Sequence, residues 1–109
     1  MSNALGLPDE YYEPYDHEAL TVTNGAAVGL TALKGAPAGA AAADAIKITV
    51  EGGPLRYRED GPDPDATTGA LRQIGDVFPI YGRGISFFKA IATTATAAVL
   101  QVTYSRRRR

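Results

Sequence analysis

The chain has 109 residues, enough for one hydrophobic core and too few for two. It is 45% hydrophobic and 21% charged, with a formal net charge of −1, one His and neither Cys nor Trp, which excludes disulfide staples, thiolate chemistry, Cys-ligated zinc and any site built on two imidazoles. Gly, Pro and Asp break its apolar stretches well short of the roughly 18 residues of a membrane span, so no membrane partner is expected.

The small net charge hides three blocks. Residues 1–18 hold Asp9, Glu10, Glu13, Asp16 and Glu18 and no Lys or Arg. Tyr11, Tyr12 and Tyr15 stand among these acids, and Pro8 and Pro14 oppose a helix, so the segment reads as an extended acidic arm with tyrosines suited to docking on a partner. Residues 19–105 are neutral, seven acids against seven bases, and read as a β-sandwich domain. Arg106, Arg107, Arg108 and Arg109 form a basic tail that repels itself into extended conformations.

Within the body, short β-rich runs alternate with turn residues. Ala19–Thr23 is the first expected strand, closed by Asn24-Gly25, and Val28–Leu33 the second, with Gly29 as a possible bulge site. Residues 35–43, rich in Gly, Ala and Pro, read as a loop with one helical turn at most. Ala45–Glu51 alternates Ile46, Ile48 and Val50 against Lys47, Thr49 and Glu51, the pattern of a half-buried strand. Gly52-Gly53-Pro54 interrupts it, and Leu55–Arg58 resumes the alternation. Residues 59–69 are expected as an exposed loop, after which Leu71 re-enters the core.

Val77–Tyr81 reads as a strand that Pro79 confines to an edge or a bulge. Ile85–Ala92 fits both helical and strand spacing, and is expected as a short turn into a strand beginning near Phe87. Ala97–Ser105, uninterrupted by Gly or Pro, should be a central strand. The fold expected is an all-β, small antiparallel β-sandwich or jelly roll of seven or eight strands, with Ile46, Ile48, Val50, Leu55, Tyr57, Phe88, Leu100, Val102 and Tyr104 in its core.

Catalytic chemistry is hard to assemble from these residues. Glu59 with Asp60, and Asp63 with Asp65, lie in a loop lacking the apolar bulk that shifts carboxylate pKa values, so they read as solvated turn acids. Asp60, Asp63 and Asp65 lack the ligand pattern of an EF-hand. His17 stands alone, Ser86 and Ser105 lie in no nucleophile elbow, and Gly82-Arg83-Gly84 lacks the Lys-Ser/Thr of a phosphate loop. No enzymatic activity, cofactor or metal is expected.

Arg56-Tyr57-Arg58 interleaves bases with an aromatic, but Glu59 and Asp60 cancel its field, so Arg56 and Arg58 read as a contact surface rather than a nucleic-acid platform. The arginine tail is expected to meet acidic groups of a neighbouring subunit, with nucleic acid as the lesser partner. The acidic arm supplies such groups, which suggests arm-to-tail pairing between copies.

Residues Pro54-Leu55-Arg56-Tyr57-Arg58-Glu59-Asp60-Gly61, the following Pro-Asp-Pro-Asp-Ala-Thr-Thr-Gly, the Gly75-Asp76 turn, Phe88-Lys89-Ala90-Ile91-Ala92 and the closing run from Ala98 to Tyr104 resemble small β-sandwich structural proteins of tailed bacteriophage virions. The resemblance spans Leu20 to Tyr104 and implies a virion component without enzymatic activity: a capsid decoration or cement protein, or a small part of the neck or tail. The expected partners are therefore the major capsid protein or other virion subunits, with the chain itself a homo-oligomer. A different reading is a carbohydrate or host-surface binding module using Tyr57, Tyr81 and Arg56. Partner-binding residues expected on the first reading are Tyr11, Tyr12, Tyr15, Arg56, Arg58 and Arg106 to Arg109.

Overall fold

The structure is a computed structural model and describes residues 12–30, 43–82 and 84–107. It is a small all-β sandwich of two four-stranded antiparallel sheets. Sheet 1 takes the order β1-β8-β3-β6 and sheet 2 the order β2-β7-β4-β5. The strands are β1 (Tyr12–Val22), β2 (Val28–Gly29), β3 (Ala45–Glu51), β4 (Leu55–Arg58), β5 (Ala70–Arg72), β6 (Val77–Tyr81), β7 (Lys89–Ala92) and β8 (Ala98–Arg107); one helical turn, α1 (Gly84–Phe87), leads from β6 toward β7.

Alternation in β3 and β8 builds the core directly. Ile46, Ile48 and Val50 meet Tyr104, Val102 and Leu100 in register, and all six side chains are buried. Leu55, Phe78, Ile80, Phe88, Ala90 and Ala92 join them in the interior with Val22, Ala43, Ile85 and Ala98, and Tyr57 packs against it, partly exposed. Tyr57 stacks on Phe78 of the opposite sheet at 4.8 Å and on Phe88 at 5.6 Å, giving the small core an aromatic column across its two layers. β8 lies between β1 and β3, as its unbroken sequence predicts, and Pro79 sits on the edge strand β6, where a missing N–H disrupts no ladder.

The corner between β3 and β4 requires glycine. Gly52 has φ +80°, and a Cβ there would lie 2.7 Å from the Ala97 carbonyl oxygen; at Gly53 it would lie 2.8 Å from that of Thr96. The chain changes sheets by pressing its backbone against the β7–β8 turn.

Four expectations need correction. Leu71 does not re-enter the core and is 46% exposed, because the register of β5 on β4 places Ala70 and Arg72 opposite the inward-facing Tyr57 and Leu55 and turns Leu71 outward beside Arg56. Arg72 takes the inward seat, its guanidinium 4.4 Å from the Phe78 ring centroid and 5.8 Å from that of Tyr57. The first strand begins at Tyr12 rather than Ala19, and the last runs to Arg107 rather than Ser105, so the described parts of arm and tail belong to sheet 1. The strand expected near Phe87 begins at Lys89, after α1. Residues 31–42, which include most of the Gly-Ala loop, lie outside the described residues.

Candidate docking surfaces

The residues expected to contact partners form two groups. The first is the end of the β1–β8 ribbon. β3 accompanies β8 as far as the Ala45–Ser105 pair, whereas β1 stays with it through Glu13–Arg106 to Tyr12–Arg107. The backbones of the acidic arm and the basic tail therefore share one ladder within the chain.

A bulge between Pro14 and Asp16 supplies an extra residue, Tyr15, which packs against the core. The Arg106 guanidinium lies 4.0 Å from the Tyr15 ring centroid. Burial, together with nearby Asp16 and Asp44, pushes the Tyr15 phenol up against the opposing pull of Arg106. Asp44 ends the ribbon on its β3 side: its N–H donates to the Ser105 carbonyl at 3.0 Å, and its Oδ2 accepts from the Arg107 N–H at 2.6 Å. Tyr12 reaches across the sheet to Tyr81, with ring centroids 5.9 Å apart. Deeper in the ribbon the buried Tyr104 hydroxyl donates to the Glu18 carboxylate, and burial and then Glu18 push that phenol far up. Tyr11, Arg108 and Arg109 lie outside the described residues.

The second group lies on the outer face of sheet 2. With Tyr57 facing inward, Arg56 and Arg58 face outward, and Arg58 stands directly opposite Lys89 of β7. Loop 59–69 folds back to meet all three cations. Arg56 donates from Nε to the Ala66 carbonyl at 3.1 Å and from Nη1 to that of Gly69 at 2.8 Å. Arg58 makes a bidentate pair with Asp60 at 2.9 and 2.6 Å, and Lys89 donates to Asp63 at 2.9 Å. Asp65 accepts from the backbone N–H groups of Thr67 and Thr68 at 2.8 and 2.7 Å, which holds its carboxyl below the usual range; Arg58 does the same for Asp60. Pro64 is buried beneath the loop.

Elsewhere, His17 is exposed and tied to its neighbours: Nε2 lies 2.7 Å from Gln101 Oε1, Nδ1 lies 3.2 Å from Thr103 Oγ1, and Gln101 Nε2 donates to Glu51 Oε1 at 3.2 Å. Among the described residues no group of three or more His, Cys, Asp or Glu side chains is placed to hold a metal ion. Tyr57, Tyr81 and Arg56 are not gathered on one surface: Tyr57 points inward, Tyr81 ends a strand of sheet 1, and Arg56 faces outward from sheet 2. Lys89 and Asp44 escaped sequence reading because their partners are 26 and 63 residues away. The chain matches no protein-family model, no curated protein and no solved structure.

Proposed function

We propose that the chain is a non-enzymatic structural protein of a tailed bacteriophage virion, acting as a capsid decoration or cement protein that bridges capsid subunits. The resemblance of residues 20–104 supplies the virion part of this reading. The structural observation behind the bridging part is the β1–β8 ribbon, whose ladder brings Tyr12, Tyr15, Arg106 and Arg107 to one end of the sandwich. Tyr and Arg are among the residues enriched at interface hot spots, and the stack of Arg106 on Tyr15 limits the rotamer freedom lost on docking. Weak contacts repeated over a lattice hold each copy by multivalency.

Copy number per particle tests the reading, by quantitative mass spectrometry of purified virions bearing this chain. A number proportional to the capsid lattice supports decoration. A number fitting one or two rings transfers the protein to the neck or tail, and absence from washed virions removes the virion reading.

A further inference from the structure

We infer that Arg58 and Lys89, on the outer face of sheet 2, form a recognition site for an acidic, extended segment of a partner protein, and that the chain's own loop 59–69 occupies this site. The inference does not depend on the virion reading. Arg58 and Lys89 face each other directly across β4 and β7. Like charges in that position destabilise a ladder unless anions stand over them. The loop brings two, from residues three apart in the chain: Asp60 to Arg58, with Nη2–Oδ2 at 2.6 Å, and Asp63 to Lys89 at 2.9 Å.

Both carboxylates approach from solvent. The Asp60 and Asp63 side chains are 60% and 63% exposed, so their pairs are of the weak, exchangeable surface kind. The loop's anchorage lies elsewhere, in buried Pro64, in the Asp65 turn and in the carbonyls that hold Arg56. Carboxylates from outside can therefore replace Asp60 and Asp63 without unfolding that anchorage. What fits the two cations is a peptide with acids about three residues apart, as the loop itself demonstrates. A nucleic acid is a poorer match, since its affinity rests on many phosphate contacts and the body around this pair is neutral.

The probe is a synthetic peptide of the loop's own sequence, Glu-Asp-Gly-Pro-Asp-Pro-Asp, added to the full chain at low salt and followed by fluorescence anisotropy and by NMR shifts of the Arg58 and Lys89 side chains. Asp60→Asn with Asp63→Asn keeps the loop's shape while baring both cations, and should tighten peptide binding about tenfold, the size expected from two exposed ion pairs. Adding Lys89→Ala should return affinity to the wild-type level. Cooperative thermal unfolding and a β-rich circular dichroism spectrum establish that the variants are folded. Equal binding by wild type and double variant, a gain that survives Lys89→Ala, or preference for a single-stranded oligonucleotide of equal charge would each overturn the inference.

Discussion

Tyr12 and Tyr81 belong to the opposite edge strands of sheet 1, yet their rings lie 5.9 Å apart, tilted by 47°. Between those edges lie Ser105 and Ala45, paired with each other in register, both small and both buried although their alternation places them on the outer side of the sheet. Two small residues leave the space in which rings from either edge meet, and the first described residue of β1 is thereby tied to the last of β6.

That contact yields a direct test. Tyr12→Ala and Tyr81→Ala should each lower stability, and a double-mutant cycle should return a coupling of about 0.5–1.5 kcal/mol, the range for a tilted aromatic pair. Urea denaturation of the four proteins supplies the measurement.

Removing residues 1–18 should do more than weaken assembly. β1 pairs with β8 from Tyr12 to Val22, so the truncation strips most of a strand from sheet 1 and bares the edge of β8. The truncated chain should unfold at markedly lower urea and lose slow hydrogen exchange along β8.

Alkaline pH should act through Tyr104. Its phenol is held neutral in the fold, with its pKa raised by burial and then by Glu18, whereas the unfolded chain titrates near the ordinary 10.0. A raised folded pKa gives stability that is complete below the unfolded value and is lost as pH climbs beyond it toward the folded one. Stability should therefore fall as pH rises above 10.0, with Tyr104 ionising only as the chain opens. Tyr104→Phe should flatten this dependence in stability curves taken across that range.

Acid should act on loop 59–69 instead. Asp65 has a lowered pKa through the Thr67 backbone N–H, so the order it confers on the turn is present above the ordinary carboxylate pKa and is lost as pH falls through the lowered one. Amide exchange at Thr67 and Thr68 should accelerate in that window while the exchange of β3 and β8 amides stays slow.

Gly52→Ala should cost more than 1 kcal/mol, because it combines φ +80° with a Cβ placed 2.7 Å from the Ala97 carbonyl. Gly61→Ala also meets a positive φ, at 114°, but has nothing within 4 Å of the added methyl, and should cost less. Thermal denaturation of the two variants side by side compares strain plus clash with strain alone.

Sequence alone determined the all-β class, the buried faces of β3 and β8, the restriction of Pro79 to an edge or a bulge and the turn at Gly52-Gly53-Pro54. Period-two alternation and turn chemistry are local properties, readable from neighbours a few residues apart. The extent of the first strand was not readable, because Tyr, Pro and acidic residues obscure its alternation and the bulge at Tyr15 shifts it by one. Only tertiary structure decided what the charges do. It placed Asp63 on Lys89, set the Asp44 carboxylate on the Arg107 backbone N–H and laid Arg106 over Tyr15, partners drawn from distant parts of the chain, because strand order and register, set by how the apolar faces pack, determine which groups come within reach. The same packing turned Arg72 inward and Leu71 outward, since a three-residue edge strand takes its facing from β4 and carries too little alternation to declare its own.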